Sequence, residues 1–316
     1  MFSIFLSAVS GVAIILVMVV VGFVLNERGW FNEQSPRIIS RIVTQVSLPC
    51  YMVTTIMRDF SANQLKYLLP DLRYPVISMI ILFAFSFAVA RVIGIKRSHL
   101  GLFSSMFFNS NTVFIGLPIN LALFGDASIP YVLVYYMANT TFFWTLGVWL
   151  IQKDGIGEAK ISPSTALKKV FSPPLLGFIL GVILVIAKVH LPKFIMSDLT
   201  YIGGLTIPMS MIFIGIAISN AGLSRMRLSR DSWGILLGRF LFAPALMALL
   251  VIPSSMSPLM KQVFILQAAM PVMTNAPVVS KLYHADSNYA AIMVTETTVL
   301  AIVVIPILMV LIKTFL

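Results

Sequence analysis

The chain has 316 residues, 59% of them hydrophobic and 10% charged, with 22 Lys and Arg against 11 Asp and Glu. A soluble domain carries roughly a quarter charged residues, so this composition excludes an ordinary soluble fold and points to an integral membrane protein, where helices are the default because backbone groups in lipid must pair within their own segment. The net charge of +11 is first a topology signal, since polytopic proteins gather Lys and Arg on cytoplasmic loops, and no nucleic-acid recognition motif accompanies it.

A bilayer core of about 30 Å takes roughly 20 mostly apolar residues per helix. The apolar runs predict ten spans, near 4–25, 37–57, 74–93, 99–124, 128–151, 171–190, 199–221, 232–252, 259–284 and 288–313. The first run has no Lys or Arg ahead of it and is longer than a signal-peptide core, so it is expected to remain as a span. Span two holds the one cysteine, Cys50, which leaves no internal disulfide or multi-cysteine metal site and is expected to pack. Pro49 beside it, and Pro208 in span seven, are expected to kink their helices.

Span four is interrupted. Asn109, Ser110, Asn111 and Thr112 precede Gly116 and Pro118, an amide-rich, helix-weakening stretch at membrane depth. Span nine repeats the pattern with Pro271, Thr274, Asn275 and Pro277. Proline removes a main-chain donor and clashes with the preceding turn, so both segments are expected to unwind. Two charges also lie within spans, Arg239 in span eight and Glu296 in span ten, and intramembrane charges are functional candidates by default. A carboxyl there is suited to carrying a proton; pairing with Arg239, or a place near the interface, is the structural alternative. His99, His190 and His284 sit at span ends, too scattered for a metal site. Trp30, Trp144, Trp149 and Trp233 suit interfacial anchoring.

The loops after the odd-numbered spans hold 14 Lys and Arg and those on the other side seven, with Arg239 inside a span. The richer side is expected to be cytoplasmic, placing both termini outside a plasma (inner) membrane. Landmarks recur at nearly one offset: Asp71 and Asp231, and likewise Asp126 and Asp286, are 160 residues apart, and Pro49 and Pro208 are 159 apart. Five spans per half is an odd number, so a duplicated second half must enter the membrane from the opposite face. The expected domains are residues 1–152, a cytoplasmic linker 153–169 and an inverted repeat 170–316, making an all-α polytopic protein with broken, crossing helices four and nine.

Unwound backbone at mid-membrane is tolerated only within protein or beside a watery cavity. Half-helix N-termini then carry partial positive charge and free N–H groups. Two such breaks at a repeat interface suit an anion, with Asn111 and Asn275 as neutral donors, as in secondary transporters. Taken singly, each break has a structural alternative, since prolines and asparagines also serve as packing devices and interhelical glue in membranes.

The stretches "NTVFIGLP" with "ALFGD", and "QAAMP" with "SKLY", resemble the two crossover segments of the auxin efflux carrier family, which includes plant auxin exporters and bacterial malonate and malate permeases. That resemblance implies a ten-helix fold similar to bile-acid and sodium/proton carriers, with spans one, two, six and seven as scaffold and the rest as a moving transport domain. It further implies that Asn111 contacts a substrate carboxylate while Pro118, Pro271 and Pro277 shape the crossover. The partners expected are a small mono- or dicarboxylate and the lipid bilayer, with a homodimer conceivable; no cofactor is expected beyond coupling to H⁺ or Na⁺. A passive anion channel or uniporter is the alternative, and an intramembrane enzyme is disfavoured because no zinc, nucleophile-elbow or Walker motif occurs.

Overall fold

A computed structural model describes residues 17–59, 61, 69–155, 171, 173–221 and 228–315. Most of the expected first span and nearly all of the linker 153–169 lie outside the described residues. Regular structure among the described residues is helical: α1 (Val17–Glu27), α2 (residues 35–59), α3 (Arg73–Ile93), α4 (Leu100–Phe108), α5 (Thr112–Phe124), α6 (residues 129–154), α7 (Pro173–Ile186), α8 (Lys193–Asn220), α9 (Arg230–Val251), α10 (Pro258–Ala268), α11 (Ala276–Leu282) and α12 (Ser287–Phe315).

Among the described residues, four segments are long and apolar enough to cross a bilayer: Pro70–Ile93, Lys193–Asn220, Arg230–Val251 and Ser287–Thr314. The expected spans four and nine are each two helices, α4 with α5 and α10 with α11. Span seven, expected from residue 199, begins instead at Lys193, directly after Pro192, whose fixed φ suits a helix entry. The two prolines expected to kink their helices each follow an irregular turn. A π-helical turn, Val43–Ser47, precedes Pro49, and α8 is interrupted at Leu205, three residues before Pro208. Each turn loosens the backbone where proline withholds its donor from the preceding turn. α3 stops at Gly94, which is left-handed at φ +74° and returns its amide to Ala90, a stop that a side chain would strain.

Small residues set the closest helix contacts, as expected where lipid offers no hydrophobic drive between helices. A Cβ on Gly22 of α1 would lie 2.4 Å from the Ile212 carbonyl oxygen of α8, and one on Gly177 of α7 would lie 2.6 Å from that of Pro49 on α2. These backbones touch. α2 and α7 share a cluster of Leu48, Met52, Ile56, Leu175 and Phe178, which also takes in Ile129, Val132 and Leu133 of α6. A larger cluster joins α3, α4, α5, α6, α9, α10 and α12 and surrounds the two breaks. Apolar side chains left outside, such as Ile77, Ile80 and Phe85 on α3 and Leu176, Leu180 and Ile183 on α7, face outward as lipid contact requires.

Candidate functional site

α4 ends at Phe108, Asn109 is extended (φ −97°, ψ 139°), and α5 resumes at Thr112. α10 ends at Ala268 and α11 resumes at Ala276. The non-helical stretches meet. Asn111 donates its main-chain N–H to the Pro271 carbonyl at 2.8 Å, and Ser110 and Val272 form an antiparallel bridge. Pro271 can accept but not donate, so it fits a strand position whose own donor side is unneeded.

Exposed amides in this apolar interior would each cost roughly 1–3 kcal/mol, and neighbouring helices satisfy them. Asn139 of α6 accepts from Ser110 N at 2.9 Å and returns its Nδ2 to the Ser110 carbonyl at 2.8 Å. On the other break, the Thr297 hydroxyl of α12 accepts from Val272 N at 3.1 Å. Both side chains are buried. Neither was singled out from sequence; the signal for Asn139 was an amide in the otherwise apolar run of span five, and Thr297 stands beside Glu296.

Asn111 caps α5. Its Oδ1 accepts from Phe114 N at 3.1 Å, and its Nδ2 lies 3.5 Å from the Thr274 hydroxyl of the other break. Thr274 and Asn275 are half-buried, while Asn109, Ser110, Asn111, Thr112, Gly116 and Pro118 are buried. Gln267 at the end of α10 reaches across, its Nε2 donating to the Thr112 carbonyl at 3.4 Å. Its Oε1 lies 2.3 Å from where a Cβ on Gly116 would be, so any side chain at 116 would have to displace the Gln267 amide. A crevice of about 10 Å³ beside Thr274 is lined by Thr295, Thr298, Ile214 and Ile218; Thr298, Ile214 and Ile218 also line an apolar cavity of about 40 Å³ with Ile115, Ile119 and Met211.

The residues expected at the site do not all converge. Ser110, Asn111, Pro271 and Thr274 come together. Asn109 turns away, donating to the Ser105 carbonyl at 3.1 Å against Gly147. Pro277 sits in the first turn of α11, and Pro118 lies within α5 directly after its π-helical turn, Thr112–Gly116. Asn275 precedes α11 without a capping bond from its side chain. Glu296 is fully buried on α12, next to Thr297. Arg239, also fully buried, sends its guanidinium to main-chain oxygens: Nε to Met270 at 3.0 Å, Nη1 to Phe107 at 3.1 Å, and Nη2 to Ala268. Away from the breaks, His99 stands 3.2 Å from the Asp286 carboxylate and stacks on Tyr289.

Residues 7–309 match the family described as membrane transport protein. An uncharacterized transporter of Methanocaldococcus jannaschii is 27% identical over 305 residues, covering 93% of this chain and 95% of that protein. An uncharacterized transporter of Methanothermobacter thermautotrophicus is 27% identical over 310 residues, covering 96% and 98%. The chain belongs to the membrane transport protein family, that of the auxin efflux carriers, and is a multi-pass membrane transporter, not an enzyme.

Proposed function

We propose that this member of the family is a secondary carrier of a small organic anion, a mono- or dicarboxylate, bound where the two broken helices meet. The single observation that carries the reading is the join itself, in which Asn111 N–H meets the Pro271 carbonyl and the Asn111 side chain faces Thr274. The first turn of α5 brings the partial positive charge of a helix N-terminus. Asn111, Thr274 and the half-buried Asn275 add neutral polar groups that can orient a carboxylate, with Ser110 and Thr112 in the adjoining main chain. Pro271 withholds a donor within one break, Pro118 and Pro277 shape the helices that follow the breaks, and Gly116 admits Gln267 between them.

The same reading makes the protein a ten-span bundle of two inverted repeats, residues 1–152 and 170–316, around a cytoplasmic linker, with both termini outside the plasma membrane. Support comes from the pairing: Asn111 and Pro271, 160 positions apart, bond to each other, as equivalent residues do beside a two-fold axis. Alternating access then follows from movement of one bundle against the other. Glu296, buried beside the ninth break, is the residue we assign to proton coupling.

The test is transport by purified protein in liposomes. Saturable uptake of labelled malonate or another carboxylate, with counterflow, is the expected result; ohmic anion current in a patch would replace the carrier with a channel. A thermal-shift screen against mono- and dicarboxylates narrows the substrate, since a ligand stabilises the state that binds it.

A further inference from the structure

Breaking two helices at mid-membrane creates two C-terminal ends as well as two N-terminal ones. Each C-terminus leaves carbonyls without helical donors and carries about half a negative charge. In carriers built on broken helices such ends and the unwound carbonyls beside them are where a coupling cation sits. Here a side chain already occupies that position. Arg239 donates to Phe107 in the last turn of α4, to Ala268 at the end of α10 and to Met270 in the break that follows. One guanidinium therefore donates to carbonyls at both C-terminal ends.

Its placement is built in. A π-helical turn, Gly238–Phe242, carries it on α9, and a Cβ on Gly238 would meet the Phe107 ring at 2.4 Å, so α9 lies directly against α4. Arginine suits the task, being always charged and offering donors in a rigid fork. Met79, 160 positions earlier on α3 and also fully buried, is apolar, so the charge enters from one side only and serves both breaks.

We propose that Arg239 is the resident cation of the carrier, standing where Na⁺ would otherwise bind, so that the anion is carried without sodium. The proposal rests on the carrier reading. It also makes Arg239 a positioning residue, one that ties α4, α9 and α10 into a unit without touching the substrate.

The experiment measures uptake of labelled malonate by the full-length protein in liposomes, in sodium chloride and in choline chloride. Wild type and R239K should give equal rates in the two salts. R239Q should be slower in choline by about tenfold or more, the scale expected when buried partners lose a charge, and should recover in part when sodium fills the vacated carbonyls. A sodium requirement in wild type would overturn the proposal. So would R239Q uptake equal to wild type in choline, or a loss in R239Q that sodium leaves unchanged, which would make Arg239 a strut only. If R239Q does not fold, the wild-type comparison still decides. Absence of malonate uptake in both salts would count against the carrier reading, and melting temperatures would then judge Arg239: sodium raising that of R239Q alone upholds the proposal, and sodium raising that of wild type defeats it.

Discussion

Asn111 and Pro271 share a main-chain hydrogen bond of 2.8 Å although 160 residues separate them, and it joins two helices at the point where each has lost its own pairing. The bond needs no side chain from either residue. The Asn111 amide group is thus left for other work, and it does two things at once: its oxygen caps α5 through Phe114 N, and its nitrogen faces Thr274.

Those two jobs can be separated. Asn111→Asp keeps the capping oxygen but replaces the donor with negative charge, so folding should hold while uptake of labelled malonate falls by about tenfold or more, as expected when like charge meets a desolvated anion. Asn111→Ala should lose uptake and also about 1 kcal/mol of stability through the missing cap. Full uptake in the aspartate variant would remove Asn111 from the site.

Gly116→Ala should be costly for one identifiable reason. The new methyl would lie 2.3 Å from Gln267 Oε1, forcing a buried side chain from its place at about 1–3 kcal/mol. Trimming the obstacle should relieve it, so Gly116→Ala with Gln267→Ala should cost less than the sum of the two single changes. Strict additivity in melting measurements would show that the contact is not what constrains Gly116.

The main-chain amides of the breaks depend on two side chains. Asn139→Ala strips Ser110 of both a donor and an acceptor, whereas Thr297→Val strips Val272 of an acceptor alone. Each unsatisfied buried group costs roughly 1–3 kcal/mol, so Asn139→Ala should lower the melting temperature more than Thr297→Val. The reverse order would mean that the break between α10 and α11 is the more rigidly held of the two.

These supports mark the limit of what the sequence made legible. Pro271, Pro277 and the run Asn109 to Thr112 announced the interruptions, because proline and clustered amides weaken a helix wherever they fall. What binds each break was hidden, since Asn139 lies 29 residues from Ser110 and Thr297 lies 25 from Val272, distances over which composition says nothing about contact. The partners of Arg239 were equally hidden: its guanidinium nitrogens meet the Phe107, Ala268 and Met270 carbonyls, because helix ends concentrate acceptors that no periodicity reveals. Pro118 and Pro277 show the converse. Both were legible as breakers; Pro277 sits in the first turn of α11, where its fixed φ assists the helix, and Pro118 follows the π-helical turn Thr112–Gly116 within α5.

Asp154, beyond the expected end of span five, offers a pH test. Its carboxylate accepts from the Gly101 and Leu102 amides at 3.0 and 2.6 Å, capping α4. Burial pushes its pKa up, while those amides and His99 pull the other way. An acid with a raised folded-state pKa holds its proton where the unfolded chain has lost it, so its contribution is greatest below the ordinary carboxylate range and is lost as pH rises through the raised value. Asp154→Asn cannot titrate. Wild type should therefore gain melting temperature relative to Asp154→Asn on going from about pH 7 to about pH 4; a difference independent of pH would mean that burial does not set this carboxyl.

Glu296 carries the last prediction. It is buried on α12 beside Thr297, the residue that accepts from the ninth break at Val272, so a proton gained or lost there lies one residue from the chain that shapes the site. If Glu296 carries the coupled proton, an acid exterior should speed malonate uptake into liposomes in wild type. Glu296→Gln, fixed in the neutral form, should take up malonate at a rate indifferent to the gradient. Glu296→Asp keeps a titratable group and should retain the dependence, a sharp control because a side chain needed only for packing would be disturbed by shortening yet unmoved by amidation. An acid-stimulated profile that survives in Glu296→Gln would send the search for the proton carrier elsewhere.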